Sequence, residues 1–228
     1  MADAAAGGQP TIGLRCPGHP VAQALLRACA QLEPPVLGLA GPSANRFGKV
    51  SPTTAAHVAA EFGDAVPVLD GGACQVGIES AIVDCTRGAP VLLRPGVLTR
   101  AAIEQACGER LLLPDEADSP APKASGTLEA HYAPAAKVRL MDGKSLKTAL
   151  RLLGQDAAAI GVYARTPWPN QAGRFRRMPD DAAETARQLF AVLREFDDAG
   201  VKLIWIETPP DAPEWDGVHD RLRRAAAS

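Results

Sequence analysis

From Lys137 to its end the chain repeats one unit, a short apolar run followed by residues at helical spacing, and this alternation constrains the fold more than any other feature. Strands are expected over Lys137 to Met141, Ala158 to Tyr163 and Val201 to Ile206. The matching helices are expected over Ser145 to Leu153, Asp181 to Ala199 and Trp215 to Ala226. Strands that alternate with helices pair in parallel, so the segment predicts a small parallel sheet of Rossmann-like class. The class carries no function by itself, because no G-x-G-x-x-G follows any of these strands.

The first half reads as α/β with a different rhythm. Thr11 to Arg15, Val36 to Ala40, Val66 to Leu69, Ser80 to Val83 and Val91 to Leu93 are predicted strands. Val21 to Leu32 and Pro52 to Phe62 are predicted helices, the second with Ser51 as N-cap, Pro52 at the first helical position and Gly63 beyond its end. Between the halves, residues 114–136 are rich in Pro, Ser, Ala, Gly and charge, too poor in apolar residues to build a core. The division is therefore a first domain over residues 1–113, a linker over 114–136 and a second domain over 137–228.

Charge narrows the partners. Lys and Arg number 24 against 26 Asp and Glu, a net charge of -2, so nothing draws the whole chain to nucleic acid and any RNA contact has to be local. No apolar run is long enough to span a bilayer. Met1 to Pro10 lacks a basic start and an apolar core, which leaves the cytoplasm as the expected location. The five cysteines are odd in number and scattered without C-x-x-C spacing, as expected of reduced thiols packed as small apolar groups.

Four clusters have residues suited to chemistry. The run Gly41-Pro42-Ser43-Ala44-Asn45-Arg46-Phe47-Gly48-Lys49-Val50-Ser51 leads from a predicted strand to a helix start, where hydroxyls and unpaired amides suit an anion. Ser51 as a plain cap and Asn45 as a turn former explain the same residues. The run Leu69 to Ser80 holds three glycines that permit close approach of a ligand, or it is a turn with a surface Glu79 and a backbone-satisfied Ser80.

Arg94 follows an apolar strand and is placed either to grip a phosphate or to pair with Asp70 or Asp84. His131 and Tyr132 interrupt the polar linker, suited to stacking on a base or to anchoring against the second domain. No nucleophile–base set and no metal-ligand spacing emerges. The chemistry suggested is positioning and charge stabilisation of bound phosphates.

Taken in order, TIGLR with PGHP, PSANRFGKVSPT, LDGGACQVGIES, LLRPG and SGTLEAHYAP resemble the threonylcarbamoyl-AMP synthases of the two-domain type. The C-terminal third, closing on Asp220-Arg221-Leu222-Arg223-Arg224-Ala225-Ala226, is similar to that family's accessory Rossmann-like domain. The resemblance implies a twisted-sheet, YrdC-like first domain and a reaction that joins L-threonine, bicarbonate and ATP into threonylcarbamoyl-AMP and pyrophosphate. It places Thr11, Ser43, Ser51, Arg94 and Tyr132 on ATP and Arg15, Gly41 and Ser80 around threonine, with Asn45, Glu79 and His131 in support. Mg2+ is implied with ATP; tRNA or another double-stranded RNA and a downstream threonylcarbamoyl transferase are implied as partners.

In that family roughly one hundred residues precede the strand matched by Thr11 to Arg15 and carry a lysine/arginine motif for ATP; here MADAAAGGQP stands in their place. The expectation is a truncated first domain with an exposed sheet edge and weak or absent catalysis. A carbamoyl-adenylate-forming relative in hydrogenase maturation shares the first-domain motifs, but the HYAP linker and its Rossmann-like partner argue against it. A threonine- or nucleotide-binding module without catalysis is the non-enzyme alternative.

Overall fold

A computed structural model describes residues 3–118, 122, 124–167 and 174–228. Part of the expected linker, residues 119–121 and 123, and the first two residues of the N-terminal stretch lie outside the described residues.

The second half folds as its periodicity predicts. Strands β3 (Lys137–Met141), β4 (Gly161–Ala164), β5 (Arg174–Arg177) and β6 (Leu203–Glu207) form one sheet in the order β3-β6-β4-β5, parallel at every pairing. Helices α4 (Gly143–Leu153), α5 (Ala182–Asp198) and α6 (Asp216–Ala226) cover it. Asp142 and Asp181 begin α4 and α5 by accepting the amides of Ser145 and Glu184, donors that the first turn cannot satisfy internally. On β6, Ile204 and Ile206 enter one apolar cluster while Trp205 enters the other, the two-residue alternation of a strand buried on both faces. The cluster with α4 contains Leu146, Leu150 and Val162; the larger one gathers Leu189, Phe190, Leu193 and Phe196 of α5 with Val218 and Leu222 of α6. β5 was hidden in the sequence because Arg174-Phe175-Arg176-Arg177 is a polar edge strand with a single apolar residue.

The first half is far less regular. It contains α1 (Pro20–Ala30), α2 (Ala55–Phe62), the antiparallel pair β1 (Ile82–Asp84) and β2 (Val91–Arg94), and α3 (Arg100–Cys107). The expected strands over Thr11 to Arg15, Val36 to Ala40 and Val66 to Leu69 do not form. Strand conformation persists where amides and carbonyls pair with a neighbour, and these segments have no ladder partner among the described residues. Their apolar side chains stay exposed, Leu14 at 80%, Leu37 at 85% and Leu69 at 67%. Ser51 is not the cap of α2: the helix starts three residues later, where the Thr54 hydroxyl accepts the His57 amide. Nor are the cysteines packed as core groups, since Cys16, Cys74, Cys85 and Cys107 are exposed free thiols.

The first half packs against the second at several points. Val50, Ile78 and Tyr132 belong to the larger cluster of the parallel-sheet domain. Arg194 of α5 donates to the carbonyls of Val50 and Ser51 and pairs with Glu61 of α2 at 2.5 Å. None of the helices is long and apolar enough to cross a membrane, among the described residues.

Candidate functional site

β2 ends on Arg94, which is 2% exposed. Its Nε and Nη2 donate to the Ser80 carbonyl at 3.2 and 2.9 Å, and its Nη1 donates to the Ser125 carbonyl at 2.8 Å and to the Tyr132 hydroxyl at 3.4 Å. All these acceptors are neutral. Neither Asp70 nor Asp84 reaches it, and Asp84 pairs with Arg87 instead at 2.6 Å. A guanidinium taken out of water costs several kcal/mol unless an opposite charge compensates, and no ion pair compensates Arg94 among the described residues. Burial accordingly pulls its pKa down.

Tyr132, in the segment expected to be a linker, sets its hydroxyl beside this cation. It is buried at 1% exposure, adopts a left-handed backbone with φ 59°, and stacks on Phe190 of α5 with ring centroids 5.3 Å apart. Burial, aided by the nearby Glu79 carboxylate, raises its pKa, so the phenol keeps its proton. The oxygen accepts from Arg94, and the proton has no acceptor among the described residues. Gly126 passes so close that a Cβ there would lie 2.0 Å from the Tyr132 hydroxyl and 2.7 Å from Arg94 Nη1, so the linker can cover the pair only with glycine at that point.

Glu79 connects the next residues. The Ser51 hydroxyl donates to Glu79 Oε1, and Arg221 of α6 donates to Oε2 at 2.9 Å. Arg94, Tyr132 and Ser80 thus form one hydrogen-bonded set and Ser51, Glu79 and Arg221 a second, and the Glu79–Ser80 peptide link brings the two sets into one group. Ser43 and Asn45 lie on the adjoining loop: the Ser43 hydroxyl donates to Asn45 Oδ1, whose amide donates to the Lys49 carbonyl at 3.1 Å. That loop meets the linker where the Ala133 amide donates to the Gly48 carbonyl at 2.9 Å and Phe47 approaches His131 edge-on at 6.3 Å between centroids. Thr11, Arg15 and Gly41 are not drawn into the group. They lie on the irregular stretches that failed to become strands, and they form no side-chain hydrogen bond or ion pair among the described residues. The apolar hollow between α4 and β4, lined by Leu146, Leu150, Val162 and Phe175, holds none of the predicted site residues.

Sequence reasoning missed Arg221. It stands in the closing DRLRRAA run, whose only visible signal was three arginines on an otherwise short terminal helix.

The comparisons decide the family. A family described as "Threonylcarbamoyl-AMP synthase, C-terminal domain" matches residues 98–227, and one described as "Telomere recombination" matches residues 1–96. The chain belongs to the threonylcarbamoyl-AMP synthase family. The threonylcarbamoyl-AMP synthase of Pyrococcus abyssi is 34% identical over 231 residues, which is 96% of this chain and 65% of the relative. That of Bacillus subtilis is 32% identical over 233 residues, 96% of this chain and 64% of the relative. The chain thus spans just under two thirds of these relatives. The crystal structure of P. abyssi Sua5 complexed with L-threonine superposes with a TM-score of 0.79 at 32% identity, covering 99% of this chain and 67% of that one. A variant of P. abyssi Sua5 with an adjacent histidine and tyrosine changed to alanine gives the same TM-score at 30% identity, covering 99% and 66%.

Beside the site, His57 gives a titration test. Its Nδ1 accepts the Thr53 amide at 3.1 Å, which requires the neutral ring, and burial together with the Arg194 charge lowers its pKa below the ordinary value of about 6.5. Between the two values the unfolded chain binds the extra proton, so this contribution to stability is complete above about pH 6.5 and is lost as pH falls toward the folded value. Melting temperatures measured from pH 7.5 to 5.5 are expected to fall less steeply in His57→Gln than in the wild type. Identical slopes would contradict this assignment.

Proposed function

We propose that this chain forms threonylcarbamoyl-AMP and pyrophosphate from L-threonine, bicarbonate and ATP, in the cytoplasm, to supply threonylcarbamoyladenosine modification of tRNA through a downstream transferase. The observation that carries the reading is Arg94, a buried cation whose hydrogen-bond partners among the described residues are all neutral, beside a phenol whose proton has no acceptor among those residues. An anion with several oxygens satisfies both groups, and a planar guanidinium suits phosphate best. The adjacent His131 and Tyr132 supply the same pair of residue types that the P. abyssi variant lacks.

The chemistry is balanced without a covalent enzyme intermediate. The threonine amine and bicarbonate give a carbamate with loss of water. A carbamate oxygen then attacks the α-phosphorus, and the bond to the pyrophosphate oxygen breaks as pyrophosphate leaves. Arg94 and the Tyr132 hydroxyl meet negative charge that builds on the phosphate oxygens, while the linker excludes water from the reactive mixed anhydride. Ser51 and Ser43 contribute hydroxyls to the nucleotide; Ser80, Arg15 and Gly41 are the residues assigned to threonine. Mg2+ enters bound to ATP as part of the substrate. The Glu79 carboxylate is already engaged by Ser51 and Arg221, and no cluster of three His, Cys, Asp or Glu fit to hold a metal occurs among the described residues.

Pyrophosphate release measured with each substrate omitted in turn tests the proposal. Release that needs ATP, threonine and bicarbonate together is expected. Release from ATP alone, or failure to bind either ATP or threonine, would overturn it.

A further inference from the structure

Arg221 is the largest fully buried side chain described, at 0% exposure, and its contacts leave its own domain. Nε and Nη2 hold Glu79 from two sides, on the carboxylate Oε2 at 2.9 Å and on the carbonyl at 2.7 Å. Nη1 donates to the carbonyl of Pro95 at 2.8 Å and to Asp220 Oδ2 at 2.8 Å. The guanidinium also lies 5.4 Å from the centre of the Tyr132 ring. Pro95 follows Arg94, and Glu79 precedes Ser80 while its second oxygen holds the Ser51 hydroxyl. Three segments distant in sequence therefore meet around one planar cation: those of Arg94 and Tyr132, proposed for the nucleotide, and that of Ser80, proposed for threonine, with Ser51 attached through Glu79.

We propose that Arg221 is the positioning residue through which the C-terminal domain assembles the ATP site. The inference rests on the proposed function. Asp220 and Glu79 compensate its charge, so Arg221, unlike Arg94, has no need of a ligand anion; its role is to fix the backbones on either side of Arg94 and Ser80. A guanidinium fits this task because its fixed fork reaches carbonyls and carboxylates in several directions at once. A lysine ammonium can reach some of those acceptors without holding the plane.

The test compares Arg221→Met, Arg221→Lys and wild type for MgATP affinity by calorimetry, well below their melting temperatures, and for amide exchange over residues 78–82 and 94–97. Arg221→Met is expected to weaken MgATP binding tenfold or more and to speed exchange in those two segments, with Arg221→Lys intermediate. Arg176→Met removes an exposed partner of Glu195 and is expected to change neither. Should Arg221→Met fail to fold, Glu79→Gln, which withdraws half the clamp, is expected to show the same pattern more weakly. A lower melting temperature with unchanged affinity and unchanged exchange would reduce Arg221 to a structural residue and overturn the inference. A wild type that binds no ATP overturns the proposed function, and the exchange pattern still judges Arg221 by itself.

Discussion

Gly217→Ala is expected to lower the melting temperature by roughly 6 °C, the opposite of what helix propensity suggests. Alanine in a helix interior is about 1 kcal/mol better than glycine, so an exposed site on α6 would gain from the change. Here a Cβ would lie 2.5 Å from the Gly96 carbonyl oxygen and 2.8 Å from its carbon. Both are backbone atoms and cannot rotate away, so α6 must lift off the segment that follows Arg94. Overpacking of this kind costs about 3 kcal/mol, about 2 kcal/mol net of the propensity gain, and a chain of this length loses roughly 3 °C per kcal/mol. Calorimetric melting checks the sign as well as the size. A stabilised or unchanged Gly217→Ala protein would show that α6 is not seated as described.

Arg94→Met is expected to separate binding from stability. Charge-assisted hydrogen bonds contribute about 2–3 kcal/mol each when buried, so loss of the guanidinium weakens MgATP binding by roughly 30- to 150-fold. The fold does not depend on that charge to the same degree. Removing it deprives the Ser80 and Ser125 carbonyls of donors but also removes a buried cation that forms no ion pair among the described residues. The two effects oppose each other, and a melting temperature within a few degrees of wild type is expected. Unchanged MgATP affinity, or a collapse of the fold, would contradict the role given to Arg94.

The parallel-sheet domain was legible because its strands and helices bury both of their apolar faces within one short segment, so local pattern and tertiary outcome agree. β5 escaped because an edge strand needs few apolar residues. In the first half α1, α2, β1 and β2 form about where the pattern put them, and three further expected strands do not form. Val36 to Ala40 and Val66 to Leu69 have strand composition, but a strand is defined by its neighbours, and composition does not say whether a neighbour is there. Arg94 and Tyr132 could be singled out because a lone cation at a strand end and an aromatic pair in a polar linker are unusual locally. That they touch each other across a sequence separation of 38 residues is a tertiary fact. Arg221 had no such local signal: one of three arginines on a terminal helix looks like solvated charge until its burial is seen. Thr11, Arg15 and Gly41 were assigned by resemblance, and the contacts present give them no place in the group around Arg94.

The central claim is that a strand-end arginine and a linker tyrosine act on one nucleotide phosphate, held in register by the C-terminal domain. MgATP affinity of wild type, Arg94→Met, Tyr132→Phe and the double variant measures this directly. If both groups grip the same anion, the double variant loses less than the sum of the single losses, by about 1 kcal/mol or more. Losses that add without interaction would place the two residues on separate tasks and contradict the account.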